Sequence, residues 1–460
     1  MILRVDSWLK IGPEDGLNHE LLKTKLTVPN PEYQSRVQLG LSVDGVRRFD
    51  VLYHEEDGEL WVPRALAEKY KKKGKKIEDC MCDGYEVDFR SRIRLGPNEE
   101  RKEEQKPFVE KLTEAVRNSY GAIGQAEAGF GKTVCALEVA ARLGRTTAVL
   151  VHKEFLMNQW AERISECFDI DESEIGFVQQ DRCEYRGKKI VMIMVQSLLA
   201  RKYPKDLFDY FGTVIVDEVH RFGAVEFRKA ITMFPARYRL GVTATPRRSD
   251  GLEKVFLWHI GDIAVVGAKR KLKPRIEMVR TNVVPSDLEM KRMRDFRGEI
   301  TLSKVVNWLV TSERRNRLIV QLLLKALDAG RKVLVLSSRR EHLNVLRHML
   351  RTEVGKAGKQ YSTGLYVGGM TDEERSVSAT KDCIFGTYQM AAEGLDIPDL
   401  DTLFLTTPKG DIEQSVGRIL RTVDGKKEPV VVDFVDMSIG LCVGLTNKRI
   451  KQYRELGYLK

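Results

Sequence analysis

Apolar residues fall into two rhythms along this chain. Short uninterrupted runs recur between residues 147 and 244: TAVLVH (147–152), IVMIMV (190–195), TVIVDE (213–218) and RLGVTA (239–244). Each has strand length and lacks polar alternation, the pattern of a strand covered on both faces. Elsewhere apolar positions return every three or four residues. KTVCALEVAARLG (132–144) and EFLMNQWAERISECF (154–168) do so, which predicts amphipathic helices. Alternating strands and helices predict a parallel sheet with helices on both faces. A second series follows from residue 331: RKVLVLSS, GLYVGG, DCIFGTY, DTLFLTT and PVVVDFV, then a helix over NKRIKQYRELGY. The predicted fold class is α/β, with two parallel-sheet units in tandem.

The first 97 residues follow a different pattern. SRVQLGLSV, RRFDVLYH and ELWVPRAL are short and strand-like, with turns at Asp44-Gly45 and Asp57-Gly58. RALAEKYKKKGKK predicts a short helix running into a basic turn, and YEVDFRSRIRLG another alternating strand. Residues 1–97 are therefore expected to form a small, β-rich α+β domain. The polar stretch GPNEERKEEQK marks its boundary. The first sheet unit is expected over 98–270 and a charged connector, including EMKRMRDFRGE, over 271–312. The second unit, with its terminal helix, is expected over 313–460.

A length of 460 residues suits about three domains. A hydrophobic content of 42% against 31% charged supports soluble, cored domains. The net charge of +11 favours an anionic partner. The first 97 residues hold 17 basic and 17 acidic side chains, so the excess lies further on. That argues against a uniformly basic, ribosomal-type chain. Among seven scattered cysteines only Cys80 and Cys82 are close, with no second pair to complete a zinc site. Reduced thiols of an intracellular protein are expected. Arg4, Asp6 and Lys10 interrupt the start and exclude a signal peptide. No apolar stretch is long enough to span a bilayer, so no membrane partner is expected.

AEAGFGKT (126–133) sits between a predicted strand and a predicted helix, the context of a phosphate loop. Gly129 and Gly131 let backbone amides approach phosphate, Lys132 can reach the β- and γ-phosphates, and Thr133 can bind Mg²⁺. The strict pattern opens with glycine, where this chain has Ala126. VIVDEVH (214–220) ends an apolar strand in two acids. Alone, that tip reads as a solvated strand end. Beside a phosphate loop, Asp217 suits the metal and Glu218 the activation of water. GVTATP (241–246) puts Thr243 and Thr245 at the next strand tip, where they could sense the γ-phosphate and bond His220; an ordinary turn fits equally. QSVGRILR (414–421) places Arg418 and Arg421 three apart, on one face if helical. Guanidinium groups there could stabilise a transferring phosphoryl group when two units close.

Together these segments resemble a superfamily 2 helicase over roughly residues 100–435. AEAGFGKT is similar to motif I, DEVH to motif II, TATP to motif III, GTYQMAAEGLDIP to motif V and QSVGRILR to motif VI. VLVHKEFLMNQW and VQSL are similar to motifs Ia and Ib. DEVH with LGVTATPRRSDG is most similar to the XPB-like and UvsW-like branch. DEAD-box proteins carry Asp where this chain has His220, and the Arg-Glu-Asp tripeptide frequent in the XPB group does not occur. The short N-terminal domain looks more like the phage branch-migration helicases, the T5 type among them. The resemblance implies two RecA-like domains, ATP and Mg²⁺ as cofactors, and work on branched or forked DNA in recombination, replication or repair. It implies that Gln105 reads the adenine, that Gly394 and Asp396 line the nucleotide cleft, and that Gln414 joins Arg418 and Arg421. Lys153, Gln196, Ser197, Ser338, Arg339 and Thr387 would contact a nucleic-acid backbone, which positions a strand without reading its sequence. A cytoplasmic monomer is expected, in a host cell if the chain comes from a phage, with recombination or replication proteins as further partners. The basic turn Lys71–Lys76 is a candidate DNA contact, a solvated turn or an import signal. A double-strand translocase, an RNA helicase and a decayed-motor scaffold are the rival readings. The last conflicts with the presence of Lys132, Asp217, Glu218, Arg418 and Arg421.

Overall fold

Each apolar run between residues 147 and 244 forms a strand, and their burial explains why. In Thr213–Asp217, for instance, the first four residues are fully buried. Burying one such aliphatic side chain contributes about 1.5–3 kcal/mol. The computed structural model describes residues 2–38, 42–95, 99–127, 129–152, 154–219, 224–244, 252–268, 272–296, 298–393, 395, 397–421 and 425–459; at 99–102, 155, 224–227, 372, 392 and 393 only the backbone is described. The chain divides into two units, 1–269 and 270–460.

The first unit is built on an eight-stranded sheet. Its spatial order is Arg182–Cys183, Ile175–Gln179, Ile190–Met194, Thr147–Val151, Thr213–Asp217, Tyr238–Thr243, Ala122–Gln125 and Ile263–Val266. All pairs are parallel except the short Arg182–Cys183 edge. The predicted helices are present as Lys132–Leu143 and Glu154–Cys167.

The N-terminal segment forms a five-stranded sheet in the order His54–Glu56, Glu59–Pro63, Trp8–Ile11, Ile2–Val5 and Lys76–Asp79. Three expectations here are corrected. The first four residues of SRVQLGLSV are helical, within Pro31–Gln38, and 39–41 lie outside the described residues. Asn30 Oδ1 accepts from the Glu32 and Tyr33 amides, and Pro31 fixes the first turn, so local capping overrides the apolar alternation. The described residues of YEVDFRSRIRLG form only isolated bridges, Glu86 to Arg145 and Ser91 to Phe168, and are anchored by buried Phe89 rather than by a ladder. The polar boundary opens the helix Glu99–Asn118, whose Phe108, Val109, Leu112 and Val116 are buried against the sheet.

Nor does this segment stand apart. Leu3, Val5, Leu9, Leu60 and Val62 share one core with Val214, Val216, Phe234 and Phe256 of the large sheet's layer. Two fully buried arginines stitch the seam. Arg64 donates to the carbonyls of Tyr120, Asp6, Ala236 and Arg237. Arg239 donates to those of Ser7, Ile231, Phe234 and His259. Trp8 meets His259 edge-on, with ring centroids 5.7 Å apart. Carbonyl dipoles around a guanidinium replace the water it loses on burial.

The second unit has a six-stranded, fully parallel sheet in the order Arg275–Arg280, Val430–Val435, Thr402–Leu405, Val333–Ser337, Cys383–Thr387 and Thr363–Tyr366. The stretch read as a connector thus supplies an edge strand. Its remainder forms helices Asp287–Arg292 and Leu302–Thr311 over a small core of Val283, Met293, Val305, Leu309, Ile439 and Cys442. The terminal helix is Gly440–Glu455. Buried Arg449 and Tyr453 on that helix both donate to Asp433, at 2.8 and 3.1 Å, and so fasten it to the sheet. Arg315 and Thr281 bond Asp436 in the same way. The seven cysteines are free thiols. Among the described residues no helix is long and apolar enough to cross a membrane.

Candidate functional site

Three adjacent strands of the first sheet bring the predicted chemistry together. Asp217 pairs in register with Val242, and Thr243 with Gln125, so the strand ends lie level. The phosphate loop, the acid pair and Thr243 therefore share the carboxyl edge of the sheet, where open parallel sheets bind ligands. The Ala126 amide donates to the Thr243 carbonyl at 3.0 Å and ties loop to strand.

The loop has the backbone a phosphate cradle needs. Gly129 and Gly131 sit at φ +80° and +93°, a region that disfavours residues with a Cβ. A Cβ on Gly131 would lie 2.5 Å from Gln105 Nε2. Gly131 caps the helix Lys132–Leu143, whose first amides and dipole favour an anion. Lys132 is nearly buried and places Nζ 3.5 Å from Glu218 Oε1. Thr133 follows it, half-buried, on the first turn. Glu218 adopts φ +46°, a costly conformation for a glutamate, directly after the strand. Asp217 accepts a hydrogen bond from Trp160 Nε1 at 3.1 Å. Trp160 was not foreseen, although its place in the helical stretch NQW after a strand was readable.

Crowding by surrounding protein, then the adjacent Glu218 carboxylate, push the Asp217 carboxyl well above the ordinary range; Lys132 and the Trp160 N–H oppose this. Such a site fits a divalent cation. A half-buried carboxylate pair gains from added positive charge, and Mg²⁺ is held by one or two carboxylates with water and phosphate rather than by a full protein cage. A carboxyl whose folded value is raised stabilises the fold below its unfolded value, and this stability is lost as pH rises through the folded value. Asp217→Asn, without nucleotide or metal, is thus expected to melt a few degrees above the parent at pH 8 and much closer to it at pH 4. Thermal melts at both pH values test this. An equal difference at both would contradict the charge argument.

Gln105 is buried and donates to the Phe130 carbonyl, so in this structure its amide braces the phosphate loop. Gln196 is exposed and donates to the His152 carbonyl at 2.9 Å. Ser197 is buried, and its Oγ accepts from the Gln180 amide at 3.0 Å. Ser338 is exposed at a strand end, its amide bonded to Thr407 Oγ1. Arg339 donates to Asn307 Oδ1 and Ser303 Oγ, at 2.9 and 2.8 Å. Thr387 ends its strand half-buried.

Arg418 and Arg421 do not share a helix face. The helix is only Glu413–Gly417; Arg418 caps it, and Arg421 lies beyond it, half-buried. Gly417 and the turn that follows end the helix before the second arginine. Arg418 Nη1 donates to the Leu395 carbonyl at 2.8 Å, and Lys426 donates to the Arg421 carbonyl. Gln414 is half-buried on the helix. Lys153, His220, Thr245, Gly394 and Asp396 lie outside the described residues.

The family model described as the Type III restriction enzyme, res subunit, matches residues 98–248; the helicase conserved C-terminal domain matches residues 314–424. A mimivirus protein (Acanthamoeba polyphaga mimivirus) named "Putative ATP-dependent RNA helicase L396" is 33% identical over 336 residues, covering 72% of this chain and 63% of its own. The chain therefore spans less than two thirds of that relative. "Probable helicase D10" of Escherichia phage T5 is 26% identical over 363 residues, covering 78% of this chain and 76% of its own. A solved structure of a Dbp5 variant from S. cerevisiae, bound to RNA and ADP BeF3, shares the fold. Its TM-score is 0.51 at 13% identity, over 87% of this chain and 92% of that one.

Proposed function

We propose, for a chain that belongs to the superfamily 2 helicases, that ATP hydrolysis drives it along branched DNA and remodels forks and four-way junctions. The observation that carries the motor reading is the Lys132–Glu218 pair, 3.5 Å apart at the mouth of a loop built on two left-handed glycines. Arriving phosphates compete for the Lys132 ammonium and draw it from Glu218. The freed carboxylate then orients the attacking water and accepts its proton. Thr133 and Asp217 would hold Mg²⁺, which neutralises phosphate charge when bound. Gln414, Arg418 and Arg421 would act on the transferring phosphoryl group from the second unit, and Gly394 and Asp396 would border the nucleotide. Thr243, Thr245 and His220 would couple nucleotide state to the strand. Lys153, Gln196, Ser338, Arg339 and Thr387 would contact its phosphates.

Branched DNA is favoured by the resemblance to phage branch-migration helicases and by the N-terminal basic turn. Lys71, Lys72, Lys73 and Lys76 are all exposed there. RNA is the second reading, favoured by the name of the mimivirus relative. ATPase stimulation and strand separation on single-stranded DNA, forks, four-way junctions and RNA duplexes test both. Stimulation by RNA alone would replace the first reading with the second, and no stimulation by any would sink the motor. Deleting residues 1–95 is a poor test of the basic turn, because it opens the shared core. Replacing the four exposed lysines with alanine is the cleaner one. If each meets a phosphate, junction affinity falls, and the slope of log affinity against log salt drops by about 1 per lysine. An unchanged slope would remove the turn from the interface.

A further inference from the structure

Residues 292–300 read RMRDFRGEI, and the described residues on either side of Arg297 turn back on one another. Arg294 and Ile300 form an antiparallel bridge. The Asp295 amide donates to the Glu299 carbonyl at 2.8 Å, and the Gly298 amide to the Asp295 carbonyl at 3.1 Å. Asp295 Oδ1 accepts from the Glu299 amide at 3.0 Å. Gly298, at φ +82°, supplies the left-handed residue the reversal requires. From outside, the Arg294 guanidinium reaches the Gly298 carbonyl, and the Lys304 ammonium reaches the Arg294 carbonyl. The base of the turn is Met293, buried with Val305 and Leu309. The turn is thus hydrogen-bonded across its ends and rooted in that core.

Phe296 stands on it 90% exposed. Exposed Lys291, Arg292 and Arg294 flank it. The helix that follows, Leu302–Thr311, carries Ser303 and Asn307, the two side chains that Arg339 binds. Phe296 therefore projects from the lobe to which Arg339 is fastened.

We infer that Phe296 stacks on a nucleobase of the strand held by the second unit; this rests on the nucleic-acid reading above. An aromatic face accepts any base and tolerates sequence, as a motor requires, while the flanking cations meet phosphates. The test uses the full chain and a forked DNA carrying 2-aminopurine in its single-stranded arm. With the parent chain, binding should quench the fluorophore at one position. Phe296→Ala should lose that quench and bind the arm about 5- to 150-fold more weakly, with basal ATPase unchanged. Phe296→Trp should restore both, and Phe296→Leu, apolar but unable to stack, should behave like alanine. Wild-type affinity and quench in Phe296→Ala, or full rescue by leucine, would overturn the stacking role while the motor reading stands. If the parent chain binds no nucleic acid, both fall together.

Discussion

Lys132→Ala is expected to leave a folded chain whose nucleic-acid-stimulated ATPase falls by at least about 10²–10³-fold, the scale for loss of one preorganised charge-stabilising donor. Lys132 opens the helix behind the phosphate loop and is nearly buried, so it contributes one fixed charge with little reorganisation. Its removal also leaves Glu218 without its ammonium partner beside Asp217. Repulsion between the two neighbouring carboxylates then goes unopposed, and Glu218 is held less firmly for orienting water. Phosphate release with saturating DNA measures the loss, and a far-UV melt confirms the fold. Turnover near the parent rate would remove Lys132 from the chemistry and the motor assignment with it.

Arg421→Ala is expected to bind ATP normally and to hydrolyse it about 10³–10⁵-fold more slowly, the range for an arginine that meets the transferring phosphoryl group. Such a group acts on charge that develops only in the transition state, so kcat falls while nucleotide affinity holds. Arg418→Ala is expected to have the smaller effect on chemistry. Its guanidinium already donates to the Leu395 carbonyl and so holds that residue in place. Single-turnover hydrolysis beside equilibrium nucleotide binding separates the two. Weakened binding with intact hydrolysis at saturation would contradict the role given to Arg421.

The fold was most legible where local and global preferences agree. Continuous apolar runs such as IVMIMV can be satisfied only by burial on both faces, and they became central strands. The reading failed where local capping competed with alternation, as at Asn30-Pro31, and where extended chain lacked a ladder partner, as in YEVDFRSRIRLG. It failed again at RIEMVR, whose exposed side chains gave no sign of the edge strand that pairs with Val430–Val435. Nothing in the sequence marks Arg64 and Arg239 as buried, since a charge seldom lies inside a core; the ring of carbonyls around each explains their burial.

The sequence alone determined the composition of the motor: two α/β units, a glycine-flanked lysine at a helix start and an acid pair at a strand tip. Those features are local, set by the periodicity and chemistry of neighbouring residues. Tertiary structure decided the rest, because it depends on contacts between residues distant along the chain. It levelled three strand ends so that Lys132 meets Glu218 and Trp160 holds Asp217. It merged the N-terminal sheet into the first unit's core, shortened the helix before Arg421, and set Phe296 on a braced turn in the lobe to which Arg339 is bonded.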